Sequence, residues 1–131
     1  MAKVTIDDVE YQLADLSDEV KNTLQSMNFV DKKIVDLQME LAATKTARNA
    51  YGRSLSENLP DQQTELDENV LRIDDKKYLL SDLSDNARGQ AASIRFCDQQ
   101  LSRLESELAI VQTARQAYAK AVREGLNNQK H

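Results

Sequence analysis

Phe29-Val-Asp-Lys-Lys-Ile-Val-Asp-Leu-Gln-Met-Glu-Leu-Ala-Ala-Thr-Lys-Thr-Ala-Arg-Asn-Ala-Tyr51 decides the fold of this chain, because the sequence writes it twice. The second copy runs from Phe96 through Cys97, Asp98, Leu101, Leu104, Glu107, Leu108, Thr113, Ala114 and Arg115 to Tyr118, with no insertion or deletion. Its apolar residues recur at intervals of three and four, which is the period of one helix face. In the first copy that stripe starts upstream, at Val20, Leu24 and Met27, and passes Val30, Ile34, Leu37 and Leu41. It then drifts through Thr44, Ala47, Tyr51 and Leu55 to Leu59, where Pro60 closes it. Ser17 is a good helix N-cap, and Asp18 and Glu19 suit the positive end of the helix dipole. No proline interrupts the run, so the spacing predicts one helix over residues 17–59, about 65 Å long.

Outward from the stripe, residues 3–13 alternate. Val4, Ile6, Val9, Tyr11 and Leu13 interleave with polar residues, and Asp7-Asp8 lies between the two runs. A two-residue turn there pairs Ile6 with Val9 and Val4 with Tyr11, placing all five apolar side chains on one face of a β-hairpin. Aspartate accepts positive φ less readily than glycine, so the turn chemistry is adequate rather than ideal. A two-stranded hairpin is unstable alone, and the following helix is the surface on which it can lie.

The hairpin is also written twice. Ile73-Asp74-Asp75 repeats Ile6-Asp7-Asp8, Tyr78 repeats Tyr11, and Asp82-Leu83-Ser84-Asp85 repeats Asp15-Leu16-Ser17-Asp18. At a constant offset of 67, residues 4–62 align with 71–129 without a gap, with 24 identities in 59 pairs. That is a tandem duplication with a period longer than solenoid repeats have. The expected organisation is a first repeat over 1–62, a linker at 63–69 and a second repeat over 70–131. The fold class is mainly α, two copies of a β-hairpin–long-helix module. The copies have diverged: Lys76 and Lys77 replace Val9 and Glu10, Ile110 and Val111 replace Ala43 and Thr44, and Gly89 replaces Asn22. Gly125, near the end, reads as a C-cap.

Linker length restricts how the copies pack. A parallel pair inside one chain requires a return along the whole first helix. The ten mostly polar residues 60–69 span at most roughly 35 Å. An unbroken helix therefore leaves an antiparallel pair, or a coiled-coil-like oligomer with other molecules. The helix–helix interface is expected at Ile34, Leu37 and Leu41, and at Leu101, Leu104, Leu108 and Val111. A two-helix layer buries little alone, which favours an oligomer.

Composition bounds the function. Of 131 residues, 30% are charged and 40% apolar, with no Trp, one Pro and three Gly, as in chains that are mostly long helix. The net charge of −5 argues against a nucleic-acid partner, since phosphates need a basic face. Residues 1–66 hold 7 Lys/Arg against 12 Asp/Glu, whereas residues 67–131 hold 10 against 10, so the acidic excess lies in the first half. Cys97 aligns with Val30 and reads as a small buried apolar side chain. No apolar run approaches a membrane span, and the N-terminus lacks a signal-peptide core. The expected setting is the cytoplasm or a virion.

Asp7-Asp8 and Asp74-Asp75 could suggest a metal, but no calcium-loop spacing follows, and a turn accounts for them. Arg48 and Arg115 recur inside Thr-Ala-Arg-x-Ala-Tyr, where the stripe would otherwise place an apolar residue. The arginine stem is expected to pack while its head meets a carboxylate of a neighbouring helix, the competing role being an anion of a ligand or partner. Tyr51 and Tyr118 read as edge-of-core residues with hydroxyls toward water. The single histidine is the terminal His131, and no phosphate loop or nucleophile–base set can be assembled, so neither catalysis nor a cofactor is expected.

The opening Val4-Thr-Ile-Asp-Asp-Val-Glu-Tyr11, Asp15-Leu-Ser-Asp-Glu19, Phe29-Val-Asp31 and Thr46-Ala-Arg-Asn-Ala-Tyr51 together resemble a family of small uncharacterised proteins. Its members occur in marine bacteria, cyanobacteria among them, and in their tailed phages. They usually carry one copy of the module, with Asp-Gly or Asn-Gly in the hairpin turn. The resemblance covers residues 3–59 well and 70–126 more loosely. This chain departs from it in having two copies, and Asp8 and Asp75 where glycine is usual. The resemblance implies no activity. Its phage association points toward a capsid-, tail- or fibre-associated virion component. The function expected is thus a non-catalytic structural or interaction protein whose partners are itself and another protein of an assembly, with no nucleic acid and no membrane. The other reading is a small cytoplasmic regulatory module that sequesters a protein partner.

Overall fold

In the computed structural model, residues 2–129 are described, residue 129 by its backbone alone. Strands β1 (Lys3–Ile6) and β2 (Val9–Gln12) lead through a 3-10 turn at Leu13–Asp15 into helix α1 (Asp18–Glu57). After the linker the order repeats: β3 (Val70–Ile73), β4 (Lys76–Leu79), a 3-10 turn at Leu80–Asp82, and helix α2 (Asp85–Gln129). The fold is mainly helical, two hairpin–helix modules whose long helices pack against each other.

Each hairpin has the register that its alternation demands. Ile6 pairs with Val9 and Val4 with Tyr11; Ile73 pairs with Lys76 and Leu71 with Tyr78. The tight turns place Asp7 and Asp8 at φ 50° and 65°, and Asp74 and Asp75 at 47° and 66°. Two consecutive left-handed residues form the type I′ turn that matches strand twist, and aspartate is among the few non-glycine residues to accept it. One detail differs from the expected face. Val4, Ile6, Tyr11 and Leu13 pack on the core, but Val9 is 50% exposed. It sits beside the turn, at the tip of the hairpin. The second repeat, with Lys76 at that position, has a residue suited to water.

Both helices start at a serine cap. The N–H of Val20 donates to Ser17 Oγ at 3.2 Å, and that of Ala87 donates to Ser84 Oγ at 3.1 Å. Each bond satisfies one of the amides that a helix start leaves without an intrahelical partner. Both helices then run unbroken, for 40 and 45 residues.

The chain forms two compact units, Met1–Gln38 with Ser106–His131, and Met39–Glu105. Each takes half of either repeat. In the first unit, Leu16 and Val20 from the start of repeat one are buried with Val122 and Leu126 from the end of repeat two, beneath Val4, Ile6, Tyr11 and Leu13. In the second, Leu83 and Ala87 are buried with Leu55, and Leu59, Leu71, Ile73, Ala91 and Ile94 pack against them. These sets correspond at the 67-residue offset: Leu16 to Leu83, Val20 to Ala87, Leu55 to Val122, Leu59 to Leu126. Inside each unit the start of one helix meets the end of the other, so the helices pair antiparallel. Burying each such leucine or valine contributes about 1.5–3 kcal/mol.

Gly125 is not a C-cap, because α2 continues to Gln129. Its role is close approach. A Cβ there would lie 2.7 Å from Val20 Cγ2, whereas Cβ atoms at Gly52 and Gly89 would meet nothing within 4 Å. Alanine is favoured over glycine in a helix interior by up to about 1 kcal/mol. Gly89→Ala is therefore expected to stabilise the protein by roughly that amount. Gly125→Ala should destabilise it, by about 1–2 kcal/mol net once overpacking outweighs propensity, and Val20→Ala in the same chain should recover much of the loss. Urea denaturation of the four proteins checks the opposite signs and the rescue.

Candidate functional site

The arginines recurring within the stripe are each held by an aspartate of the other repeat. Arg48 Nε donates to Asp98 Oδ1 at 2.5 Å, with Nη2 3.5 Å from Oδ2. Arg115 Nε donates to Asp31 Oδ1 at 2.9 Å. Arg48 corresponds to Arg115 at the offset, and Asp31 to Asp98, so one interaction is written twice with donor and acceptor exchanged between repeats. The bond to Asp98 holds the Arg48 guanidinium above its ordinary pKa.

The first pair lies in the second unit, in a cleft of about 570 Å³ lined also by Ile73 and Ala91. The second lies in the first unit, in a cleft of about 240 Å³ lined also by Ile6 and Leu24. In both, the arginine stem reaches the edge where the hairpin meets the helices, and the head stays half-exposed.

Along the stripe, Leu37, Leu41 and Leu104 are buried within the single chain. Ile34, Leu101, Leu108 and Val111 are half-buried. Cys97 is buried, as is its counterpart Val30. Tyr118 is half-buried, and Tyr51 is 39% exposed. His131 lies outside the described residues. Among the described residues, no group of three His, Cys, Asp or Glu could hold a metal ion, and no helix is long and apolar enough to cross a membrane.

Two features escaped the sequence reading. The first is an exposed phenylalanine in each repeat, Phe29 at 71% and Phe96 at 60%. Both open the duplicated stretch, but each sits one residue before the buried position, Val30 or Cys97, and is therefore turned about 100° from the seam. Their recurrence at an off-seam position was the available signal.

The second is the role of Lys77. Its Nζ lies 2.7 Å from Asp67 Oδ1 and donates to the carbonyl of Glu65, while its own carbonyl accepts from the Thr64 N–H at 2.9 Å. The Glu10-to-Lys77 difference between repeats thus has a physical reason. The linker leads into the second hairpin, and the lysine fastens it to β4. The hydrogen bond from Lys77 pulls the Asp67 carboxyl below its ordinary pKa, with Arg72 adding a smaller effect.

These features define a class: paired hairpin–helix modules cross-tied by reciprocal Arg–Asp bonds. The chain belongs to the family described as "Family of unknown function (DUF6447)", whose model matches residues 59–130, the linker and nearly all of the second repeat. No curated protein and no solved structure matches the chain.

Two measurements test the polar contacts. In a double-mutant cycle of Arg48→Met and Asp98→Asn, the expected coupling is about 0.5–1 kcal/mol, the range for half-exposed pairs, and it should fall with salt. Exchanging the residues, Arg48→Asp with Asp98→Arg, should restore part of the loss. For the linker, Asp67 should titrate by NMR below the ordinary aspartate value of 3.8, and Lys77→Met should move it up toward that value. Because the folded pKa is the lower one, the stabilisation from this pair is present above the unfolded pKa. It is lost as pH falls through the folded value.

Proposed function

We propose that this chain is a non-catalytic structural or interaction protein that assembles through its long amphipathic helices. The observation that carries the reading is the set of large apolar side chains left in water along those helices: Phe29, Val35 and Met39 on α1, and Phe96 and Ile110 on α2. Single exposed apolar residues are ordinary, but a phenylalanine exposed at the same place in both repeats is a surface feature that has been written twice. The buried stripe is occupied inside the chain, so the exposed set is what remains available to partners. The finer reading is a capsid-, tail- or fibre-associated virion component, which the resemblance to proteins of tailed phages supports. The acidic excess of residues 1–66 favours a second reading, a cytoplasmic module that sequesters a basic protein partner.

Sedimentation of the purified chain tests self-assembly. The expected result is a mass well above 14.8 kDa, increasing with concentration, and a monomer throughout would sink the reading. Mass spectrometry of purified particles checks the virion form, since the chain should be found there in stoichiometric rather than trace amount. Its recovery only in complex with a host protein would favour the sequestering role.

A further inference from the structure

The two clefts beside the Arg–Asp bonds are one feature written twice. Each of the twelve residues lining the smaller cleft, in the first unit, has its counterpart at the 67-residue offset in the lining of the larger one, which adds Val70. What separates the two is size and charge. The first holds about 240 Å³ and the second about 570 Å³. Three smaller side chains accompany the larger volume: Gly52 stands in place of Ala119, Ala91 of Leu24, and Ser56 of Arg123.

Gly52 is the informative position. It lies within α1, where glycine is less favourable than alanine, and a Cβ there would meet nothing within 4 Å. Packing does not call for it, as packing does for Gly125. Its effect is to leave space in the cleft. The enlarged volume falls within the roughly 300–1,000 Å³ of small-molecule sites, and the smaller cleft falls below that range.

Charge has changed alongside volume. Arg72 replaces Thr5, and Arg95 replaces Asn28. With Arg48, three guanidinium groups line the larger cleft against the carboxylates of Asp74 and Asp98, one positive charge in excess. In the smaller cleft Arg115 and Arg123 balance Asp7 and Asp31. Arg48 is engaged by Asp98, but the two added arginines are not held in this way. Arg72 lies 3.6 Å from Asp67 Oδ1, an oxygen already 2.7 Å from Lys77 Nζ. Arg95 is exposed and, among the described residues, has no ion-pair partner.

Guanidinium forks bind oxyanions through paired N–H donors. One surplus positive charge suits a monoanion, whereas a phosphate dianion would keep a charge of its own beside Asp74 and Asp98. The rest of the lining suits an apolar body: Leu55 is buried, and Leu71, Ile73 and Ile94 are half-buried. We infer that the larger cleft binds a small organic monocarboxylate, its carboxylate held by Arg72 and Arg95 and its apolar part in the space that Gly52 leaves. The inference goes beyond the self-assembly reading. The cleft's residues all belong to the second unit, and its test reads them whether or not the chain assembles.

NMR titration of the isotope-labelled chain with phenylacetate, at about 0.15 M salt, tests the site, with acetate and phenyl phosphate as comparison probes. Phenylacetate should shift the Gly52 amide and the Arg72 and Arg95 Nε–H signals saturably, with a dissociation constant on the order of 1 mM for a ligand of about ten heavy atoms. Acetate and phenyl phosphate should each bind about tenfold more weakly or worse. Arg95→Gln should weaken phenylacetate binding about tenfold, the loss of one charge-assisted contact. Gly52→Leu should abolish it with the melting temperature unchanged or raised, since leucine favours the helix. No saturable shift for any probe up to about 20 mM, equal shifts at Arg115 of the smaller cleft, or binding untouched by both variants would overturn the site. Tighter binding of phenyl phosphate would overturn the monocarboxylate assignment.

Discussion

A long helix followed by a short linker is the constraint on which the rest of this structure depends. Helix α1 has 40 residues and so rises about 60 Å, and no ten-residue segment can carry the chain back along it. The second helix must set out from where the first one ends and pair with it antiparallel. Every other relationship follows from that direction. The hairpin at the start of one repeat meets the end of the other repeat's helix, so one small core draws on residues more than a hundred positions apart, as with Leu16 and Val122, while the other joins Leu55 to Leu83 across the linker. The polar contacts obey it too: Arg48 finds Asp98 and Arg115 finds Asp31, although in sequence each aspartate sits seventeen places before the arginine of its own repeat.

This crossing explains how the repeats have diverged. In a duplicated chain whose copies pack on themselves, each copy would keep its own volume balance. Here the balance is held between copies. Val20 of the first repeat is accommodated by Gly125 of the second, with no room for even a Cβ. At the corresponding places the pattern is inverted, with the smaller Ala87 in the second repeat and the larger Asn58 in the first. Close packing makes a single methyl group felt, so a change in one repeat is answered in the other. The exchange of Glu10 for Lys77 has a different cause: Lys77 fastens the linker to the second hairpin.

Much of this was legible in the residues because the signals were local. The Asp-Asp turns fixed the strand register, Ser17 and Ser84 marked the helix starts, and the spacing of the apolar residues marked both seams. The arginines read as polar interruptions that meet a carboxylate on a neighbouring helix, but which carboxylate depends on the register between helices, and no local pattern states it. Gly125 misled for a similar reason. Near a C-terminus a glycine reads as a cap, and only the arrival of Val20 from more than a hundred residues away gives it another purpose. Phe29 and Phe96 were legible as part of a helix, yet their exposure depends on which side of that helix the hairpin covers.

The exchange of halves has a consequence for what the linker does. One repeat by itself contains a hairpin, a capped helix start and a helix end, but the partner surfaces for them belong to a different repeat. Two separate single-repeat chains would have to meet to make the same two cores, and their folding would then rise and fall with concentration. Joining them makes that encounter intramolecular, at an effective concentration on the order of millimolar for a short tether. Residues 60–69 therefore act less as a spacer than as a permanent supply of the second copy, and they make the fold of a dimer independent of how much protein is present.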